Sequence, residues 1–230
     1  MKTIGLLGGM SWQSTLLYYE LINQAVKDRL GGLHSAKIAM KSVDFGPIAA
    51  RQHDGDWDRI GQILGDEAKA ISAAGADFLL VATNTMHLVA AQIEAASGLP
   101  LLHIADATGE RLRRAGHQRV GFLGTAFSME HGFYTDRLQA LGLTPLVPDP
   151  AGRKRVHDII YSELCLGKVT DSSRAVYVEQ IDKLAADGAT AVILGCTEIT
   201  LLVDQQHSVL PVFDTTAIHA EAAVDLALVA

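Results

Sequence analysis

The sequence predicts an α/β protein of two pseudosymmetric domains, each a parallel sheet flanked by helices, with a site in the cleft between them. Three observations predict this. Short apolar runs alternate with amphipathic helical stretches. Most of the runs are continuous rather than alternating, as in strands covered on both faces. One half of the chain also repeats the other.

The elements follow in order. Residues 3–7 (TIGLL) read as a strand entering a glycine turn. A helix over 14–30 opens near Ser11 or Ser14 and closes at Gly31-Gly32. Residues 36–43 (AKIAMKSV) are the next strand. Over 57–74, Trp57, Ile60, Leu64, Ala68 and Ile71 share one helical stripe that stops at Gly75. Further strands are expected at 77–82 (DFLLVA), 100–104 (PLLHI), 119–123 (RVGFL), 190–194 (TAVIL) and 210–213 (LPVF). Helices are expected over 149–166, before Gly167, and over 172–187, before Gly188. Such alternation implies right-handed βαβ units.

The repeat is visible residue by residue. "GADFLLVATNT" (75–85) lies over "GATAVILGCTE" (188–198) without a gap, so Thr83 falls on Cys196. "IGLLGGMSW" (4–12) lies over "VGFLGTAFS" (120–128), and "LPLLHIADAT" (99–108) over "LPVFDTTAIH" (210–219). The expected domains are 1–105 plus 214–230, and 106–213.

Composition narrows the function. The chain has 230 residues, 49% hydrophobic and 20% charged, as in ordinary globular proteins. A net charge of −7 without a basic stripe argues against nucleic acid as a partner. No apolar run approaches a membrane span, and "MKTIGLLGGMSW" has no signal-peptide cleavage pattern, so a cytoplasmic location is expected. The cysteines, Cys165 and Cys196, match neither a disulfide framework nor a zinc spacing. "GLLGGMS" meets neither nucleotide-binding fingerprint.

In open α/β sheets ligands bind at the carboxyl ends of strands. Thr83 and Cys196 stand at two such ends, and Thr125 on the rim of another. Two acid/base groups on opposite sides of one carbon can invert its configuration. A thiol suits the role, whereas a threonine hydroxyl must be activated by something else.

"GCTEI" (195–199), "GLLGGMS" (5–11), "NTMH" (84–87) and "ELCLGK" (163–168) together resemble the aspartate/glutamate racemase superfamily, over essentially the whole chain. The resemblance implies two opposed catalytic cysteines, no pyridoxal phosphate, no metal and a homodimer. The first cysteine is replaced here by Thr83, in Thr83-Asn84-Thr85. Among family members this is closest to the L-aspartate/glutamate-specific racemases, which carry a Thr/Cys pair. The departure implies turnover that is weaker or biased toward one enantiomer. The expected partner is a small dicarboxylic amino acid.

Its carbanion needs stabilisation. Asn84, Thr85, Thr125 and Thr197 can supply it, helped by helices expected to begin after 84 and 197. Lys168 matches the family's carboxylate-binding lysine, Gln52 (or Arg51 beside it) its side-chain reader, and Met10 a site wall. Plainer roles compete: Lys168 as a helix C-cap, Arg51 as a surface charge, Glu198 as a helix cap rather than a partner of Cys196. Cys165 reads as a small core residue inside a helix, and Asp106 and Asp214 as helix caps. His87, His103 and His219 lack metal spacing; His87 reads as structural, with a proton relay as its sharper alternative.

Two other readings use the same residues. One is a one-cysteine relative, malonate decarboxylase-like or maleate isomerase-like. The other is a two-domain protein that binds or senses a small acid without chemistry. A cysteine hydrolase ranks below both, because no histidine is tied to Cys196 by sequence.

Overall fold

The structure, a computed structural model, describes residues 1–229. In chain order its elements are β1 (Ile4–Gly8), α1 (Trp12–Leu30), β2 (Ile38–Ser42), α2 (Phe45–Asp54), α3 (Trp57–Ala73), β3 (Phe78–Val81) and α4 (Ala90–Ser97). There follow α5 (Ile104–Arg114), β4 (Arg119–Gly124), α6 (Ala126–Glu130), α7 (Gly132–Ala140), β5 (Thr144–Leu146) and α8 (Pro150–Ser162). The chain ends with α9 (Asp171–Ala186), β6 (Ala191–Gly195), β7 (Val212–Asp214) and α10 (Thr215–Leu228). No helix among the described residues is long and apolar enough to cross a membrane.

Two compact units result. The first is Met1–His103 with the segment from His219 onward; the second is Ile104–Ile218. The boundaries fall a few residues from 105 and 214. The reason for the later one is Thr215, whose hydroxyl donates to the Leu194 carbonyl at 3.0 Å and ties the first turn of α10 to β6. The rest of α10 belongs to the first unit, where the Lys2 N–H donates to the Ala227 carbonyl at 2.8 Å.

All strand pairs are parallel, in the orders β2-β1-β3 and β5-β4-β6-β7. The repeat extends to register. Ile4 pairs with Phe78 as Val120 pairs with Ala191. Leu79 bridges Leu101 as Val192 pairs with Val212. Gly75 and Gly188, equivalent in sequence, both take left-handed φ (86° and 90°) where a helix turns into a strand.

Continuous apolar strands arise because both faces are covered. In the first unit Ile4, Leu6, Phe78 and Leu80 pack with Tyr18, Ile22 and Val26 of α1 and Ala220, Ala223 and Val224 of α10. Leu7, Leu79 and Val81 pack with Ile60, Leu64, Ala68 and Ile71 of α3. Each such aliphatic side chain contributes about 1.5–3 kcal/mol. In the second unit Val120, Phe122, Leu123 and Val192–Leu194 share one core with α8 and α9. β2 is the exception, half-buried to exposed at the sheet edge.

Several expectations are corrected. The segment 100–104 supplies only the Leu101 bridge, and α5 already starts at Ile104. The helix expected over 149–166 ends at Ser162; Glu163 leaves helical geometry (φ −127°, ψ −66°) and a 3-10 turn spans Leu164–Leu166. Of the two serines, Ser11 is the N-cap of α1, its hydroxyl accepting from Ser14 N–H. The helices α2, α4, α5, α6, α7 and α10 and the short β5 complete the layers that the apolar pattern left unassigned.

Candidate functional site

Each candidate stands where a strand of its unit ends. In the first unit β1 runs into Gly8-Gly9-Met10-Ser11. Gly9 has φ +95°, and a Cβ there would lie 2.3 Å from the Val43 carbonyl. Its N–H donates to Thr15 Oγ1 at 2.7 Å. Met10 is buried in the cluster that holds Ile48 and Met86, so its side chain is core as well as a candidate wall. Gln52, on α2, is 4% exposed. Arg51 is half-buried and donates to the Pro47 carbonyl at 2.8 Å, a local helix contact.

At the end of β3, Thr83 is half-buried while Asn84 and Thr85 are buried. His87 lies 2% exposed directly behind them. Its Nδ1–H donates to the Thr83 carbonyl at 2.9 Å and to that of Asn84 at 3.3 Å. That nitrogen serves the backbone, which favours the structural role over a relay through Nδ1. Burial holds the imidazole well below its ordinary pKa, and His103 and His219 push the same way.

In the second unit Thr125 is buried at the end of β4. Its Oγ1 accepts from the Ser128 N–H at 3.2 Å, capping α6. Cys196 is half-buried, with extended backbone, immediately after β6. Its thiol donates to Glu198 Oε2 at 2.9 Å. Burial first, then the Glu198 carboxylate, pushes the thiol well above its ordinary pKa. Cys196 is therefore a protonated thiol hydrogen-bonded to a proton acceptor. The sequence favoured Glu198 as a helix cap, and the structure corrects this: the 3-10 turn Thr197–Leu201 has no side-chain cap, and the carboxylate reaches the sulfur instead.

The expected helices after 84 and 197 are also corrected. Both segments are 3-10 turns, Thr85–Val89 and Thr197–Leu201, the first running on into α4. Little macrodipole accumulates over the five residues of Thr197–Leu201, which no longer helix continues.

Lys168 is exposed in the loop after Gly167 and is not a helix C-cap; its backbone N–H closes onto the Glu163 carbonyl at 2.9 Å. The Glu163 carboxylate accepts from Thr170 and Ser173, pinning this loop to the start of α9. Cys165 is exposed rather than core, and sits in the 3-10 turn instead of a helix. Burial of its sulfur, then the charge of Glu198, raises the thiol to about 12. Asp214 caps α10, accepting from Thr216 N–H at 2.8 Å, and burial raises its carboxyl pKa. Asp106 does not cap: it lies inside α5 and pairs with Arg137 at 2.7 Å.

The sequence did not reveal the stack of His87, His103 and His219 with Tyr18. Its members come from α1, the turn after β3, the stretch before α5 and α10. Only the i, i+4 relation of Thr83 and His87 was a local signal.

The comparisons bear on the same elements. The Asp/Glu/hydantoin racemase family matches residues 7–223. The crystal structure of a Yersinia pestis protein named for the Asp/Glu racemases is 54% identical, covers 100% of both chains and gives a TM-score of 0.94. An aspartate racemase homologue from Pyrococcus horikoshii OT3 is 31% identical over 99% of each chain, with a TM-score of 0.85. The broad specificity amino-acid racemase RacX of Bacillus subtilis (strain 168) is 22% identical over 222 residues, 96% of each chain. The family match takes in β3, β6 and both loops that follow them, and the chain belongs to the Asp/Glu/hydantoin racemase family.

Proposed function

We propose that this protein racemises an acidic amino acid, aspartate or glutamate, by cofactor-independent transfer of the α-proton. The observation that carries the reading is the thiol of Cys196 on the Glu198 carboxylate, at the strand end equivalent to that of Thr83. In this reading the two strand ends approach one bound substrate from opposite sides.

The chemistry follows from the groups. Glu198 accepts the thiol proton, leaving a thiolate. The thiolate takes the α-proton facing it; the C–H electron pair delocalises into the substrate carboxylate. Backbone N–H groups and hydroxyls at Asn84, Thr85, Thr125 and Thr197 stabilise that charge. Thr83 delivers a proton to the opposite face and recovers one from solvent, while Glu198 releases the proton it took to solvent. Because a hydroxyl is a far weaker base than a thiolate, kcat and α-proton exchange are lower for the enantiomer that faces Thr83, at an unchanged equimolar equilibrium, so the L-enantiomer turns over faster at saturation if Cys196 faces its α-proton. Lys168 and Gln52 read the side-chain carboxylate in this scheme, beside Met10. A homodimer in the cytoplasm belongs to the same reading.

The test is incubation of each enantiomer of Asp and Glu in heavy water, with Cα deuteration and chirality followed together. Deuterium in the product enantiomer is expected. No label from any of the four acids would leave a binding or sensing protein as the better description.

A further inference from the structure

His87, His103 and His219 form a buried cluster inside the first unit. The His87 ring lies 4.6 Å from His103 and 5.7 Å from His219, centroid to centroid. The His219 ring stands edge-on to Tyr18 at 5.7 Å. These residues are 0–4% exposed.

The hydrogen bonds select tautomers. A carbonyl only accepts, so His87 carries its proton on Nδ1, shared between Thr83 and Asn84. His219 contacts the Leu102 carbonyl through Nε2 at 2.8 Å, so Nε2 carries the proton. Its Nδ1 then accepts from the Tyr18 hydroxyl at 2.8 Å. A neutral His219 satisfies both partners. The titratable groups facing His87 are His103 and His219; the one facing His219 from α1 is Tyr18. Glu221 lies two residues beyond His219, and on a helix that spacing points elsewhere. Asp225 pairs with Arg29 at the surface. Among the described residues no cluster of His, Cys, Asp and Glu is placed to hold a metal.

We propose that His87 is a positioning residue: its buried ring, packed against His103 and His219 and bonded through Nδ1 to two carbonyls, fixes the Thr83–Asn84 backbone and thereby the group that serves the second face of the substrate. The proposal rests on the function given above for the role of Thr83, but not for the coupling of His87 to the loop. Burial holds His219 at about 4 and depresses His87 as well. The direction is fixed: above 6.5 folded and unfolded histidines are both neutral, and the cluster is intact. As pH falls below 6.5 the unfolded chain takes up protons that the folded cluster refuses. Stability falls through that window.

Two measurements test this on the full-length protein. The first is NMR of the ¹⁵N-labelled wild type. The Nδ1–H tautomer of His87 is expected at neutral pH, with Thr83 and Asn84 amide shifts that move together with the His87 ring on acidification. An Nε2–H tautomer, or amides indifferent to the ring, overturns the proposal whatever the substrate. The second is kinetic. His87→Ala should slow exchange from the enantiomer served by Thr83 about tenfold, with little change for the one served by Cys196. His87→Gln, whose amide donates without titrating, should restore it to within a few-fold and flatten the acidic limb of the pH profile. Equal losses for both enantiomers with no rescue by Gln would reduce His87 to a packing residue. Absence of exchange in the wild type, with the NMR coupling intact, would instead remove the assigned reaction and keep the coupling.

Discussion

The loops after β3 and β6 begin from the same backbone plan and part at the side chains. Thr83 is equivalent to Cys196, Asn84 to Thr197, Thr85 to Glu198, and His87 to Thr200. The last pair shows how much is shared. His87 donates to the Asn84 carbonyl, and Thr200 Oγ1 donates to the equivalent Thr197 carbonyl at 2.7 Å. Both loops tie down their 3-10 turn with a side-chain donor from the same position. The reactive positions differ. One loop has an alcohol followed two residues later by an alcohol; the other has a thiol on a carboxylate. The backbone frame is shared, and the thiol–carboxylate pair stands in one loop.

Three substitutions break or sharpen that comparison. Cys196→Ala removes the stronger base, and α-proton exchange from the preferred enantiomer should fall about 10³-fold or more, read by deuterium wash-in. Exchange that survives would move the chemistry away from β6. Glu198→Gln comes next. Removing the carboxylate lowers the thiol pKa, so Cys196 should be alkylated faster at neutral pH, while turnover drops about 100-fold for lack of a proton acceptor. If turnover rises with alkylation, Glu198 merely suppresses the thiolate. Thr83→Cys has the smallest effect: exchange from the slower enantiomer should rise about tenfold and the faster one stay within a few-fold. An unchanged enantiomer ratio would count against the opposed arrangement.

Much of this frame was legible in the sequence. The strands are short apolar runs because helices cover both faces, and the repeat brought into view which segments of the two halves correspond. The positions of Thr83, Cys196 and Thr125 at strand ends were legible because such ends are marked by the change from apolar to polar residues. Other features were hidden for physical reasons. The 3-10 turns after 84 and 197 carry no sequence period long enough to separate them from α-helix. The reach of Glu198 to sulfur depends on the extended conformation of Cys196, which composition does not encode. The histidine stack joins residues up to 132 positions apart (His87 to His219), beyond any local pattern. Segment 100–104 looked like a strand because Leu101-Leu102 is apolar, yet one bridge is all that α5, starting at Ile104, leaves room for.

The path of α10 constrains how the molecule can be divided. Its last turns lend Ala220, Ala223, Val224 and Ala227 to the first unit, so a fragment cut after residue 103 keeps the β1 and β3 strands but loses one wall of their core. The bond from Lys2 to Ala227 brings the segments around residues 2 and 227 to one place. A short tether between them, with new ends opened at residues 103/104, yields a circular permutant that encodes the second unit first and the first unit last. Each unit is then one uninterrupted stretch of chain.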